Sequence, residues 1–377
     1  MTSDEQRFPE EQPQRPCSAI SVTRIRRFSK LRLRAMLALA RLPEHLDIGQ
    51  GVDLFQVKYW TQLLDQPVLA SGLVALPRGR EPRGTVMWMN GTNVTRAEAP
   101  SMGRETGLLV SAAFAGAGFA LLAPDYIGLG LSTDFHPYMH GPSTVSACVD
   151  FLKAIRDHSS EFGMPWKSMI GLVGFSQGAY STCVVQRELE LHAVADVNVV
   201  AAAAIAPPLN LAGYQIPYAI EGRAKSHSLY LSYLAHSYCL LYSQPLETLI
   251  NDRQSPVVAA LFDGQHSGEK IMSTLPHAPR EIFRPEVVHE LLGGGRSWFR
   301  DALVDNEAFQ WAPNAPLRFY TGSADIDVTP EDAKTSAEEM RQRGGRVDLV
   351  DVGPVEHEQT VLHAVPNILT WLRELIG

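Results

Sequence analysis

The pentapeptide Gly174-Phe175-Ser176-Gln177-Gly178 constrains the fold of this chain more than any other feature of the sequence. An apolar run, residues 169–173, precedes it, and a stretch compatible with a helix, residues 179–189, follows it. This order of strand, sharp turn and helix is the context that a nucleophile elbow requires. A Cβ atom on either glycine would crowd the neighbouring strand and helix. The pattern therefore predicts that Ser176 lies on a strained turn, with its hydroxyl above the edge of a sheet.

Strand and helix patterns alternate on both sides of the elbow. The predicted strands are residues 86–89, 119–123, 169–175, 197–205, 317–321 and 347–352, and the main predicted helices are residues 107–117, 145–157, 179–189 and 359–375. Upstream, residues 55–59 and 69–76 show period-two alternation around a turn and predict an antiparallel hairpin. Because the later strands are apolar on both faces, we expect an α/β fold with a mostly parallel sheet covered by helices on both faces.

The alternation stops at Pro207-Pro208 and resumes at residue 317. An interruption of about 100 residues is too long for an ordinary connection, and its pattern is helical. The sequence therefore predicts a helical cap at residues 209–313, inserted into a core formed by residues 46–208 and 314–377. Beyond the interruption, Thr329 is expected to be a helix N-cap, Pro330 the first helical residue and Asp332 the acid of a capping box.

The first 45 residues are predicted to form a separate N-terminal extension. Residues 1–18 are rich in Pro, Glu and Gln, and are expected to be disordered. Residues 24–34 contain six basic side chains interleaved with apolar ones. Two interpretations are open: a surface helix packed on the core by its apolar stripe, which we favour, or a basic amphipathic helix that contacts an anionic membrane surface.

Composition narrows the class of partner. With 377 residues and 45% hydrophobic side chains the chain is expected to be globular, and a net charge of −8 argues against nucleic acid as a partner. No apolar run has the length of a membrane span, and the apolar segment after residue 34 is too short for an export signal, so we expect a cytoplasmic protein. No feature indicates an oligomeric state.

The four cysteines, Cys17, Cys148, Cys183 and Cys239, are far apart and predict neither a zinc site nor a disulfide framework. They are expected to be free thiols, most of them buried.

The motif His136-Pro137-Tyr138-Met139-His140 resembles a metal pair only in spacing, because the proline disfavours a helical arrangement. A structural use of both histidines is expected. No metal ion or organic cofactor is implied.

A serine nucleophile needs a base to remove its proton and an acid to orient that base. In this context the acid follows a late strand and the histidine follows the last strand. Asp325 lies just beyond residues 317–321, and His357 lies between the last strand and the last helix. The neighbouring Asp327 is the weaker candidate for the acid, and His363 is expected to be an ordinary residue of the last helix.

Acyl transfer also requires donors for the oxyanion that develops on the substrate. The backbone N–H of Gln177, directly after Ser176, is one expected donor. The backbone N–H of Thr92, in the loop Asn90-Gly91-Thr92-Asn93, is the candidate for the second, although an ordinary turn is an almost equal alternative there.

The predicted cap contains six of the eleven tyrosines. Along one predicted helix, Tyr230, Tyr233, Leu234, Tyr238 and Leu241 share a face. Tyr230, Tyr233 and Leu234 are candidates for binding an acyl or aromatic group of the substrate. Packing inside the cap is the more common cause of such a stripe, and both interpretations are open.

From about residue 52 to the C-terminus, the chain resembles the α/β-hydrolase superfamily and is similar to its capped secretory-lipase branch and bacterial esterase relatives. The residues that carry the resemblance are Asn90-Gly91-Thr92, Ala99-Pro100-Ser101, the segment 124–130, His136-Pro137-Tyr138, the elbow and the segment 322–330. The resemblance implies a carboxylic ester hydrolase with a large helical cap and the catalytic triad Ser176, Asp325 and His357.

The sequence therefore predicts a serine esterase that acts on a small-molecule ester through an acyl-enzyme on Ser176. An acyltransferase, a thioesterase or a lactone-forming enzyme of the same fold is an open alternative, because the triad is common to all of them. A ligand-binding module without catalytic activity is a third possibility, against which the complete triad argues.

Overall fold

The computed structural model describes residues 19–39, 48–224, 226–293 and 295–376. The disorder predicted for residues 1–18 lies outside the described residues. Nine strands of the described chain form one sheet, in the order β1-β2-β3-β5-β4-β6-β7-β8-β9. The strands are β1 (Ala19–Phe28), β2 (Val52–Leu63), β3 (Gln66–Pro77), β4 (Thr85–Met89), β5 (Ala120–Pro124), β6 (Met169–Phe175), β7 (Asn198–Ile205), β8 (Leu317–Thr321) and β9 (Val347–Asp351).

The sheet is antiparallel at one edge and parallel elsewhere. Strand β2 pairs with β1 and β3 in antiparallel fashion, β3 pairs likewise with β5, and all pairs from β5 to β9 are parallel. The β2–β3 hairpin is confirmed: Leu64 and Asp65 form a two-residue turn in which both φ angles are positive, 49° and 62°. The predicted mostly parallel sheet is also confirmed.

Helices cover both faces of the sheet. They are α1 (Lys30–Leu39), α2 (Glu105–Val110), α3 (Gly141–Asp157), α4 (Gln177–Leu191), α5 (Ile216–Ile220), α6 (His227–Leu241), α7 (Ser255–Leu261), α8 (Gly268–Thr274), α9 (Pro285–Gly293), α10 (Trp298–Asp305), α11 (Pro330–Gln342) and α12 (His357–Ile376), with π-helical turns at Ser111–Ala115 and Leu211–Gln215. Side chains of β4 alternate between two cores, with Met87 and Met89 in one and Val86 and Trp88 in the other.

The prediction of one helix over residues 24–34 is wrong. The first half of this segment belongs to edge strand β1, and only its second half belongs to α1. Val22 packs against the core that contains Met87, whereas Ile25 and Phe28 pack against the core that contains Trp88, and a bulge shifts the register of β1 between Arg24 and Arg26. The apolar spacing of three residues, which is typical of a helix, thus occurs here in a strand that contacts both cores.

The helices between β7 and β8 pack over the carboxyl ends of β4 and β5. Tyr138 donates its backbone N–H to Ser237 Oγ at 2.8 Å, and Tyr238 donates its hydroxyl to the carbonyl oxygen of Met139 at 3.0 Å. Helix α6 of the predicted cap therefore packs against the loop that follows β5. The exact boundaries 209 and 313 stay a prediction.

Thr329 as the N-cap of α11 and Pro330 as its first residue are confirmed, but the predicted capping box is wrong. Thr329 has the extended backbone of an N-cap, but its hydroxyl pairs with the hydroxyl of Tyr214 at 2.8 Å. The carboxylate of Asp332 accepts the backbone N–H groups of Leu209 and Asn210 at 3.1 and 3.2 Å. The side chains of Thr329 and Asp332 thus hydrogen-bond to the segment that follows β7, whereas the sequence pattern predicts that they cap α11. Nowhere in the described chain is a helix both long and apolar enough to cross a bilayer.

Candidate active site

Ser176 lies on the sharp turn between β6 and α4, and its backbone has φ 55° and ψ −118°. A positive φ is uncommon for a residue with a side chain and stores strain. The backbone N–H of Ser176 donates to the carbonyl oxygen of Ile205 on β7 at 2.9 Å, which holds the turn against the sheet. The elbow predicted from the sequence is therefore present, with its strand and helix.

The two glycines of the elbow have no space for a side chain. A Cβ atom on Gly174 would meet the carbonyl oxygen of Gly178, and one on Gly178 would meet the carbonyl oxygen of Met89. Backbone atoms cannot move aside as a flexible side chain can. Because neither glycine has a Cβ atom, the strand and the helix can approach closely enough to form the turn.

The structure brings Ser176, His357 and Asp325 into one hydrogen-bonded row. His357 Nε2 lies 2.9 Å from Ser176 Oγ, and His357 Nδ1 lies 2.7 Å from Asp325 Oδ2. The side chains of His357 and Asp325 are 7% and 1% exposed, so the row is shielded from water. A histidine that donates through Nδ1 to a carboxylate presents a basic Nε2 to the serine hydroxyl.

Asp325, rather than Asp327, is the carboxylate that contacts the imidazole. Its second oxygen, Oδ1, accepts the backbone N–H groups of Asp327 and Val328 at 2.9 and 3.0 Å. Burial raises the pKa of Asp327, and the neighbouring charge of Asp325 raises this pKa further, against the opposing effect of His357. Asp327 thus lies close to the row without a hydrogen bond to its histidine.

His357 is the first residue of α12, whereas the sequence pattern predicts a loop at this position. His363 is exposed on the same helix, and no hydrogen bond connects it to Ser176 in the described structure.

The two predicted oxyanion donors, Gln177 and Thr92, are both close to Ser176 in the fold. Gln177 is the first residue of α4, where backbone N–H groups have no partner within the helix. Its side-chain amide contacts His136 Nε2 at 2.8 Å. Thr92 lines a cavity together with Ser176, and its hydroxyl pairs with Tyr138 at 2.9 Å. Both residues are therefore fixed by side-chain hydrogen bonds.

A buried aspartate, Asp125, supports the segment between β4 and α2, which contains both Thr92 and Ser101, and no sequence pattern indicated this role. Asp125 accepts the backbone N–H of Ser101 at 2.8 Å and the hydroxyl of Ser71 at 2.5 Å. Burial raises its pKa, although the hydrogen bonds from both serines oppose this effect. Asp125 thus joins two of the motifs that carry the family resemblance.

His136 and His140 are buried and serve the scaffold, as expected. His136 Nδ1 contacts the carbonyl oxygen of Ile127 at 2.8 Å, and burial lowers its pKa to about 4. His140 is the N-cap of α3, where its Nδ1 accepts the backbone N–H of Ser143, and burial lowers its pKa to about 4 as well. Among the residues that the structure describes, no cluster of His, Cys, Asp or Glu could hold a metal ion. Cys148, Cys183 and Cys239 are buried free thiols; Cys17 lies outside the described residues.

Two cavities meet at Ser176. The larger has a volume of about 630 Å³ and lies between the loop of Thr92, helix α2 with its π-helical turn, and α12. The smaller, of about 50 Å³, lies beneath the helices inserted between β7 and β8. The sequence pattern gave no sign that α2 and α12 form pocket walls, because their apolar residues there have the spacing of ordinary core residues.

Of the three predicted substrate-binding residues, two line these cavities. Tyr230 lines both, and Leu234 lines the smaller one. Tyr233 lines neither: its ring is stacked between Tyr138 and Phe262, with centroids 4.7 Å away on each side. Its place in the stripe reflects packing, which is one of the two interpretations that the sequence left open.

Solved structures of similar fold include several hydrolases. A putative hydrolase from Legionella pneumophila shares 23% identity at a TM-score of 0.88, with 95% of this chain and 98% of that chain covered. The rice cell wall degrading esterase LipA from Xanthomonas oryzae shares 25% identity at a TM-score of 0.85, with 96% and 98% covered. Lipase A from Candida antarctica is more distant, with 15% identity, a TM-score of 0.66 and coverage of 91% and 78%.

No curated protein matches this chain in sequence. A family model does: the model of the secretory lipase family matches residues 96–376, which is most of the chain and includes the elbow, Asp325 and His357. This protein therefore belongs to the secretory lipase family and is a lipase-like ester hydrolase of the α/β-hydrolase fold.

Proposed function

We propose that this protein hydrolyses small-molecule carboxylic esters through a covalent acyl-enzyme on Ser176. The observation that carries the proposal is the row of hydrogen bonds from Asp325 through His357 to Ser176, on a strained elbow where two cavities meet. Its geometry is that of a nucleophile, a general base and an orienting acid.

In the first half of the reaction, Ser176 Oγ attacks the ester carbonyl carbon while His357 Nε2 takes the serine proton. The carboxylate of Asp325 stabilises the resulting imidazolium, and its two backbone donors on Oδ1 keep it oriented. The oxyanion accepts hydrogen bonds from the backbone N–H groups of Gln177 and Thr92. When the acyl–oxygen bond breaks, His357 gives its proton to the departing alcohol.

In the second half, water attacks the acyl-enzyme. His357 takes one proton of the water, the hydroxide adds to the acyl carbon, and the bond to Ser176 Oγ breaks. The acid product leaves, and Ser176 regains its proton from His357. Every proton that moves passes through Nε2, so no other titrating group is required.

The test combines covalent labelling with turnover. A fluorophosphonate probe should modify the wild-type protein once, at Ser176, and the labelled peptide is identified by mass spectrometry. Ser176→Ala should abolish labelling and lower kcat for ester hydrolysis by about 10⁴-fold or more. The matched control, Ser273→Ala, changes an exposed serine of α8 and should retain both. A folded Ser176→Ala protein that keeps a tenth of wild-type activity would falsify the proposal.

A further inference from the structure

The two cavities that meet at Ser176 differ about twelvefold in volume, at about 630 and 50 Å³. Only Ser176 and Tyr230, among the described residues, belong to the walls of both. An ester has two arms, the acyl chain and the alcohol, and the carbonyl carbon between them must lie at Ser176. Each arm is therefore assigned to one cavity, and this inference rests on the proposed function of Ser176.

The proton transfer decides which arm enters which cavity. His357 must give its proton to the departing alcohol oxygen, so the alcohol has to lie on the side of His357. His357 lines the larger cavity and is absent from the wall of the smaller one, and the loop of Thr92 also lines the larger cavity. The alcohol therefore occupies the larger cavity, and the acyl chain points into the smaller one.

The volume of the smaller cavity limits the acyl chain. A cavity of about 150 Å³ in an apolar protein core holds benzene, which has six carbon atoms. A cavity of about 50 Å³ has a third of that volume and thus holds about two carbon atoms. Its walls cannot easily yield, because Leu211, Ile216, Leu234 and Val328 are each no more than 6% exposed and belong to the packed interior.

The larger cavity suits a bulky apolar group with access to solvent. Its interior includes the rings of Trp88, Phe114 and Phe175. Glu358 and Gln359, at the start of α12, are exposed at its rim. Its volume lies within the range of 300 to 1,000 Å³ that is typical of pockets for whole small molecules.

We infer that the preferred substrates are esters of a short acid, acetate or propionate, with a large and mostly apolar alcohol. In such a reaction the acyl–oxygen bond of the acetate breaks, the bulky alcohol leaves with the proton from His357, and water completes the release of acetate. This assignment is the reverse of an enzyme that selects a long acyl chain on a small alcohol.

The decisive experiment compares two isomeric esters with the wild-type protein. Octyl acetate and ethyl octanoate have the same atoms and differ only in which arm is long. We expect kcat/KM to be at least 100-fold higher for octyl acetate, since a single methylene without space already changes selectivity by about 10- to 200-fold. Equal values, or a preference for ethyl octanoate, would overturn the assignment of the two arms.

Substitutions in each cavity provide the second test. Leu234→Ala enlarges the smaller cavity and should raise kcat/KM for octyl butanoate relative to octyl acetate by roughly tenfold or more. Leu240→Ala is the matched control, because Leu240 lies on the same helix and is 44% exposed. Val361→Trp fills part of the larger cavity and should lower kcat/KM for octyl acetate relative to ethyl acetate.

Failure of this inference is distinguishable from failure of the proposed function. If Ser176 is labelled by the fluorophosphonate and ethyl octanoate is the better isomer, the nucleophile stands and the assignment of the arms is wrong. If the folded protein is not labelled and hydrolyses neither isomer, the proposed function and the assignment of the arms are both wrong. An unchanged ratio of butanoate to acetate in a folded Leu234→Ala protein would also contradict the role of the smaller cavity.

Discussion

Asp325 Oδ1 accepts the backbone N–H of Asp327 at 2.9 Å, while Asp325 Oδ2 contacts His357 at 2.7 Å. The two aspartates lie on the same turn but thus have different hydrogen-bond partners. Asp327 contributes its backbone to hold the carboxylate of Asp325 in place. Its own side chain has a buried oxygen, Oδ1, with no hydrogen-bond partner among the residues that the structure describes. The carboxylate of Asp325 thus hydrogen-bonds to the histidine, and the backbone of Asp327 supports the turn.

Substitution of each aspartate separates these roles. Asp325→Asn should lower kcat by about 10⁴-fold, because an amide neither fixes the required histidine tautomer nor stabilises the imidazolium. Asp327→Asn keeps the backbone N–H and should cost less than about tenfold. Steady-state kinetics on one activated ester measures both. Similar losses in the two folded variants would mean that the acid is not assigned correctly.

The two histidines of α12 form a second matched pair. His357→Ala removes the only imidazole within hydrogen-bond distance of Ser176 Oγ in the described structure, so hydrolysis and fluorophosphonate labelling should both fall by about 10³-fold or more. His363→Ala, on an exposed position of the same helix, should leave both rates within about twofold. Activity that survived in His357→Ala and disappeared in His363→Ala would transfer the role of the base.

The hairpin, the parallel strands and the elbow were readable from the sequence because each depends on local pattern. The alternation of residues along β2 and β3 predicts two strands, and the glycines on both sides of Ser176 predict a sharp turn. The order of strands then fixes where Asp325 and His357 can lie, since the carboxyl ends of parallel strands share one edge of the sheet.

The features that the sequence did not predict depend on contacts between distant segments. Val22, Ile25 and Phe28 have the spacing of a helix but contact two different cores from one strand. The carboxylate of Asp332 accepts the backbone N–H of Leu209, which is 123 residues away in sequence. Tyr233 is stacked between rings that are far away in sequence. The pocket walls on α2 and α12 are ordinary apolar residues, and only the empty space beside them makes them part of a site.

Because the strand and the helix lie so close together at the elbow, we expect one added methyl group there to lower the stability of the protein. Gly178→Ala places a Cβ atom against the carbonyl oxygen of Met89, so we expect the free energy of unfolding to fall by about 1 to 3 kcal/mol or more. Gly268→Ala, on α8, adds a methyl group whose nearest neighbours are side-chain atoms at 3.7 and 3.9 Å, and should change stability little. Urea unfolding of both variants measures the difference. A Gly178→Ala protein as stable as Gly268→Ala would show that the strand and helix are not in contact.

The buried histidines predict that the protein loses stability in mild acid. Burial lowers the pKa of both His136 and His140 from 6.5 to about 4. Between these values the unfolded chain binds protons that the folded chain excludes, so the free energy of unfolding should fall as the pH falls from 6.5 to 4. For one such histidine the loss is at most about 3 kcal/mol.

His140→Asn isolates one of these contributions. Asparagine retains an oxygen that can accept the backbone N–H of Ser143 at the N-cap of α3, but it does not titrate. The fall in the free energy of unfolding from pH 6.5 to pH 4 should therefore be smaller in this variant than in the wild type, by up to about 3 kcal/mol. His363→Asn, at an exposed position of α12, is the control for replacing a histidine by asparagine at the surface. Urea unfolding at half-unit steps of pH measures all three proteins, and parallel curves for His140→Asn and the wild type would contradict a neutral buried His140.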